Sequence, residues 1–168
     1  MQTITHIKDL HKASTWAMEL VFDVLPAEYL DEPINTSFPN IKAILLHIWS
    51  AQAFWYNRIT GTNAIALPPK NDEDRYEGRF ADLRESVLNS HKAFIDLLEN
   101  ETDTFLNTET KYTTTKGDVY IQPNYAVLLQ LTHHSAFHRG QIVAFMRQLG
   151  FTDAIPQTDL IAWYRENR

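Results

Sequence analysis

The stretch NYAVLLQLTHHSAFHRGQIVAFMRQL, Asn124–Leu149, decides how this chain folds. Set at roughly 100° per residue around a helix, Val127, Leu131, Ile142, Phe145 and Leu149 share one sector, and His134 and His138 fall inside it. His133 points away from that sector, so the doublet His133-His134 resolves into one outward and one inward imidazole. Pro123 suits a first-turn position before the run, and Gly150 ends it. A long helix with one apolar face has to be covered by other helices.

Working outward, three further runs share the helical period. Ile4, Ile7, Leu10, Ser14, Ala17, Met18, Val21 and Leu25 mark a first helix that Pro26 closes. After the turn-rich DEPINTSFPN, a second begins near Asn40 with the stripe Ile41, Ile44, Leu45, Ile48, Trp55 and Ile59, and Gly61 stops it. TNAIALPPKNDEDRYEG, with its Pro-Pro and acidic cluster, predicts a long loop. A third helix follows on Phe80, Leu83, Val87, Phe94, Leu97 and Leu98 and ends around ENETD. In KYTTTKGDVYIQP, β-branched and aromatic residues flank Lys116-Gly117-Asp118, the pattern of a short hairpin. PQTDLIAWYRENR predicts a short terminal helix capped by Thr158 or Asp159. Four long amphipathic helices bury their stripes best in an all-α four-helix bundle with a small β-hairpin insert and a short C-terminal helix, one domain over residues 1–168.

Composition narrows the function. The 168 residues are 44% hydrophobic and 21% charged, ordinary for a globular chain. A formal charge of -6 and a pI near 5.6 oppose binding to phosphate backbones, so nucleic acid is not an expected partner. No apolar run approaches the roughly 18–20 residues of a membrane span, and MQTITHIKDLHK lacks the order of a signal peptide, which predicts a cytoplasmic location. With no cysteine, disulfides, thiolate nucleophiles and Cys-rich zinc sites are excluded, and any metal must rest on histidine and carboxylate.

Seven histidines are present, at 6, 11, 47, 91, 133, 134 and 138. Four residues apart on one helix face, His134 and His138 stack with β-carbons roughly 5–6 Å apart, close enough for both imidazoles to bind one ion. On spacing alone, an inward pair of this kind serves as readily to satisfy hydrogen bonds in a core, and two ligands never complete a metal site. His47 lies on the shoulder of its helix's stripe, beyond Ile44 and Ala51, and is a reasonable third ligand. His11 and His91 also sit at the edges of their stripes, so periodicity leaves the three open. His6 is expected to be exposed, and His133 to face solvent or a partner subunit. No Glu-x-x-His and no His-Glu-x-x-His occurs, which removes the di-iron and zincin patterns and leaves a mononuclear site.

HSAFHRGQI, together with LLHIWSAQAFWYNRITG on the second helix and the terminal TDLIAWYRE, resembles the DinB/YfiT-like family over nearly the whole chain. The resemblance implies a four-helix bundle holding a metal through three histidines, one from the second helix and two from the last. Transferred to this sequence these are His47, His134 and His138. The family's H-R-G-Q signature is intact as His138, Arg139, Gly140 and Gln141. The likeness also implies a homodimer.

The neighbours of the histidines have readable roles. Gln141 sits inward beside His138, where it would hold an imidazole or a metal-bound water, or else bond to backbone. Arg139 would bind a substrate carboxylate or form a surface or interhelical ion pair. Gly140 costs roughly 1 kcal/mol against Ala within a helix, for which a close helix approach or a subunit contact would compensate. Trp49, Phe54, Trp55 and Trp163 are read as packing residues, one of which would wall a ligand pocket.

Three protein nitrogens leave a coordination position for water or substrate, the arrangement of catalytic sites. Such an ion would lower the pKa of a bound water to about 7, or bind a thiol as thiolate. The family resemblance favours a transferase that uses a low-molecular-weight thiol on a small-molecule substrate in detoxification or stress. A metal-dependent hydrolase and a non-catalytic metal-binding or interaction protein are the alternatives. Imidazole suits zinc, nickel, iron and copper; zinc or nickel is the expectation, with iron next.

Overall fold

The computed structural model describes residues 3–69, 76–114 and 116–167. Its elements are α1 (Ile4–Val24), α2 (Ile41–Thr60), α3 (Phe80–Glu99), α4 (Asp103–Asn107), β1 (Glu109–Thr113), β2 (Val119–Pro123), α5 (Asn124–Gln148) and α6 (Leu160–Asn167), with a 3-10 turn at Ala27–Tyr29. It is mostly helical, four long helices with the expected two-stranded antiparallel hairpin, Glu109 opposite Pro123 through Thr113 opposite Val119. The acidic cluster Asp72-Glu73-Asp74 of the long connection lies outside the described residues.

Local chemistry sets the helix ends. The side chain of Thr3 accepts from His6 N, and that of Asn40 from Ala43 N at 2.8 Å, each satisfying a donor that the first turn leaves free. Leu25, ahead of Pro26, is pushed to φ -75, ψ 114 and ends α1. Gly61 ends α2 in the left-handed region at φ 67, open to glycine without strain. Asp159 starts α6, its carbonyl accepting from Ala162 N and Trp163 N. Pro123 closes β2 and caps α5 rather than entering its first turn. Asn124 then locks the junction: its Oδ1 accepts from Thr110 Oγ1 at 2.6 Å and its Nδ2 donates to Phe105 O at 3.1 Å.

The core has two apolar ends. One gathers Met18, Phe22, Ile44, Ile48, Leu83, Val87, Ile142 and Phe145; the other gathers Ile7, Phe94, Leu98, Leu106, Val127, Leu128 and Leu131. Following each helix from one end to the other shows α1 and α5 running one way and α2 and α3 the opposite way. Because α2 and α3 are parallel, the chain between them has to travel back along the bundle, about 30 Å for a 20-residue helix. That is why the second connection is long. α1 and α2 each pack on α3 and α5, so α2 and α5 are antiparallel neighbours.

Between the two apolar ends every long helix contributes buried polar residues: His11, Ser14 and Thr15 from α1, Gln52 from α2, Ser90 and His91 from α3, Thr132, Ser135 and His138 from α5. The bundle is therefore layered, with a polar belt at mid-height where all four long helices carry histidine.

Candidate metal centre

His47 projects from α2 between the core residues Ile44 and Ile48, and His134 and His138 project from α5 one turn apart. Because α2 and α5 lie side by side, the three rings meet. His47 Nε2 stands 2.9 Å from His134 Nε2, and His138 Nε2 stands 3.1 Å from the same atom. One ligand atom from each residue lies within 4.8 Å of the others. His138 is buried, His134 half-buried and His47 exposed, so the group opens at the surface on the α2 side.

The donor set fits a cation. Gln141 Oε1 accepts from His138 Nδ1 at 2.7 Å, which places the proton of His138 on Nδ1 and leaves Nε2 as a lone pair facing the other rings. Two Nε2 atoms crowd His134 Nε2, yet a ring nitrogen carries in its plane either one hydrogen or one lone pair and serves one neighbour well. A shared positive ion would relieve both contacts. His134 Nδ1 is buried with no hydrogen-bond partner. Protonation is opposed throughout: burial lowers the pKa of His134 to about 4, helped by His138 and His47, and burial also lowers His47 and His138. Neutral imidazole is the form that ligates metals.

Aromatic rings enclose the triad. Phe38, from the irregular segment before α2, lies 5.3 Å from the His47 ring and 5.5 Å from that of His138. Phe137 stands edge-on to His138 at 5.1 Å and is 64% exposed. Along the same α2–α5 seam, a cavity of about 170 Å³ is lined by Trp55, Tyr112, Gln122, Ala126, Val127 and Gln130, and Gln130 is one turn before His134.

The other histidines are elsewhere. His11 Nε2 donates to Leu128 O at 3.2 Å and its ring stacks on Phe94. His91 Nδ1 donates to Val87 O at 2.9 Å, so its Nε2 accepts from Ser135 Oγ at 3.1 Å, and Ser135 Oγ accepts in turn from Gln52 Nε2 at 3.0 Å. Burial pushes the pKa of His11 down to about 3 and that of His91 to about 4. His6 and His133 are exposed, as expected. Of the flanking residues, Gln141 touches His138, whereas Arg139 lines a different cavity. Trp163 is buried, while Phe54 is 39% exposed under the Arg58 guanidinium. The expected close approach at Gly140 is not found: a Cβ built there meets nothing within 4 Å, because this residue lies on an exposed face of α5.

Sequence reasoning passed over Phe38, Gln52 and Ser135. Gln52 continues the stripe Ile44-Ile48, and Ser135 the stripe Leu131-His138-Ile142, so a polar residue at a core position was the available signal. Phe38 carries no periodic signal at all.

A mostly helical bundle with three imidazoles gathered between two neighbouring helices is the class of protein defined here. The model of the DinB family matches residues 2–167, and the chain belongs to that family. It is 23% identical to Protein DinB of Bacillus subtilis (strain 168) over 151 residues, covering 86% of this chain and 87% of that protein. Its fold is similar to that of a DinB-like protein from Bacillus cereus, with a TM-score of 0.69 and 24% identity over 93% of this chain and 97% of the other. A DinB-like protein from Bacillus subtilis matches at a TM-score of 0.58 and 16% identity, over 93% and 96% of the two chains.

Proposed function

We propose that this chain holds one divalent transition metal, zinc or nickel, through Nε2 of His47, His134 and His138, and acts as a transferase joining a low-molecular-weight thiol to a small electrophilic substrate. The observation that carries the reading is the convergence of three neutral imidazoles at a site open on one side, with no carboxylate joining the group among the described residues. Bound there, the ion would keep its full positive charge and would favour the thiolate form of a thiol.

The chain's own residues have definite tasks in this scheme. Gln141 orients the His138 ring and sets its tautomer. Phe38, packed against the His47 and His138 rings, excludes water from one flank of the triad. The cavity walled by Trp55 and Tyr112 accepts the apolar body of the electrophile, with Gln122 and Gln130 as hydrogen-bonding groups. In the transfer, a sulfur lone pair forms the new C–S bond, the thiol proton passes to solvent, and the leaving group departs with its electron pair.

The test is elemental analysis of untagged protein beside the His134→Ala and His11→Ala variants, followed by turnover of an electrophile panel with and without thiol. The expected result is about one equivalent of transition metal, lost with His134 and kept without His11, and turnover that needs both thiol and metal. Turnover that needs metal and no thiol would replace the transferase by a hydrolase. Metal that raises stability without any turnover would make the ion a tie between α2 and α5. No metal uptake from zinc or nickel would end the metal reading altogether.

A further inference from the structure

On the side of α5 turned away from the triad, a second cavity of about 170 Å³ opens between α1, α5 and the segment entering α6. Its polar lining is Ser14, Thr132, His133, Arg139 and Thr158, with no carboxylate among the described residues that line it. Leu10, Ala136 and Leu160 supply apolar wall.

Two of the polar groups are unpartnered. Ser14 is 9% exposed, and its Oγ is buried without a hydrogen bond; Arg139 Nη1 is likewise buried without one. The other end of the guanidinium makes a single contact at the limit of hydrogen bonding, Nη2 to Thr158 O at 3.5 Å. Thr132 is committed elsewhere, its Oγ1 donating to Leu129 O at 2.9 Å. The closest acidic influence on Arg139 is Asp159, yet no ion pair joins them within 4.0 Å. The positive charge of Arg139 adds to burial in lowering the pKa of His91. A half-buried cation with one buried donor that lacks an acceptor is costly to hold, and the planar fork of Arg matches a carboxylate through two parallel hydrogen bonds.

We propose that this cavity is a binding site for a small organic carboxylate, held by Arg139 and Ser14 with its short hydrocarbon body against Leu10, Ala136 and Leu160. His133, exposed at the mouth, is a further donor. The cavity has room for about five or six water-sized groups, which suits an acid of a few carbons. The site is separate from the triad, and the inference stands whether or not the thiol chemistry proves correct.

The test is thermal unfolding of the full chain titrated with sodium butyrate, sodium formate and inorganic phosphate, each against sodium chloride of equal ionic strength. Butyrate is expected to raise Tm saturably and more than formate or phosphate, equally in wild type and His134→Ala. Arg139→Gln is expected to weaken that binding at least about tenfold. Should Arg139→Gln not fold, Ala136→Leu, which fills the cavity and leaves the cation in place, is expected to abolish the shift. No saturable rise in wild type, or a rise that persists in both Arg139→Gln and Ala136→Leu, overturns the site and leaves Asp159 as the counter-charge. Phosphate matching butyrate overturns the carboxylate assignment, and formate matching it overturns the role given to the hydrocarbon body.

Discussion

His138 Nδ1 donates to Gln141 Oε1 across 2.7 Å, within a single turn of α5, and this one hydrogen bond decides which nitrogen of the imidazole faces His47 and His134. Removing such a partner frees the ring to rotate and to change tautomer. Gln141→Ala is therefore expected to weaken zinc binding by about 10–100-fold with little change in fold, read by competition with a chromophoric chelator. Equal affinity in the two proteins would show that packing by Phe38 and Phe137 orients the ring instead.

Ser135 stands at the centre of the buried chain Gln52–Ser135–His91. Ser135→Ala leaves Gln52 Nε2 and His91 Nε2 without partners in a place water does not reach. The expected loss is about 2–4 kcal/mol in urea unfolding. Ser135→Ala combined with Gln52→Met removes one of the two stranded groups and should recover part of that loss; a double variant less stable than the single would refute this account.

Acid should destabilise the bundle through its buried imidazoles. In the folded chain burial holds His11 at about 3 and His91 at about 4, against 6.5 for an unburied ring. Both are neutral when folded, and the unfolded chain takes up protons below 6.5. Their contribution to stability is complete above pH 6.5 and is lost as pH falls toward about 4 for His91 and about 3 for His11. Each contributes a slope of up to about 1.4 kcal/mol per pH unit in that window. Urea midpoints of wild type and His11→Leu, measured between pH 4 and pH 8, should show the shallower acid slope in the variant; parallel curves would mean that His11 is protonated in place.

Gly140 lies in the interior of α5, exposed, with open space where a Cβ would stand. Gly140→Ala is expected to stabilise the chain by about 0.5–1 kcal/mol, since Ala restricts the unfolded chain and favours helix. Calorimetry should read this as a rise in Tm of roughly 1–4 °C. A fall would mean that this face packs against another molecule, where the missing side chain makes room.

Much of the fold was legible because the signals are local. The stripe from Ile4 to Leu25, the cap at Asn40, the stop at Gly61 and the run from Asn124 are set by period, capping and glycine conformation, and the structure places helix ends within a residue or two of them. The β-branched stretch around Lys116-Gly117-Asp118 likewise pairs as a hairpin. The short helix Asp103–Asn107 escaped, since five residues are too few to show a period. At Gly140 the helices of this chain make no close approach, so of the two compensations for its cost in a helix only a subunit contact remains open.

By itself the sequence determined the four amphipathic helices, the inward pair His134 and His138, and the reliance of any metal on imidazole in a chain without cysteine. Helical period and composition belong to single segments, so they can be read without knowing what lies alongside. Which segments lie alongside was decided by the tertiary structure. Spacing left His11, His47 and His91 equivalent, and the packing of α2 against α5 at matching height brings His47 to the pair while α1 and α3 direct His11 and His91 toward backbone carbonyls. Phe38 beside the triad, the Gln52–Ser135–His91 chain and the cavity at Arg139 have the same origin. Each is a contact between residues distant in sequence, and such contacts exist only once the two apolar ends of the core have fixed the height of every helix against its neighbours.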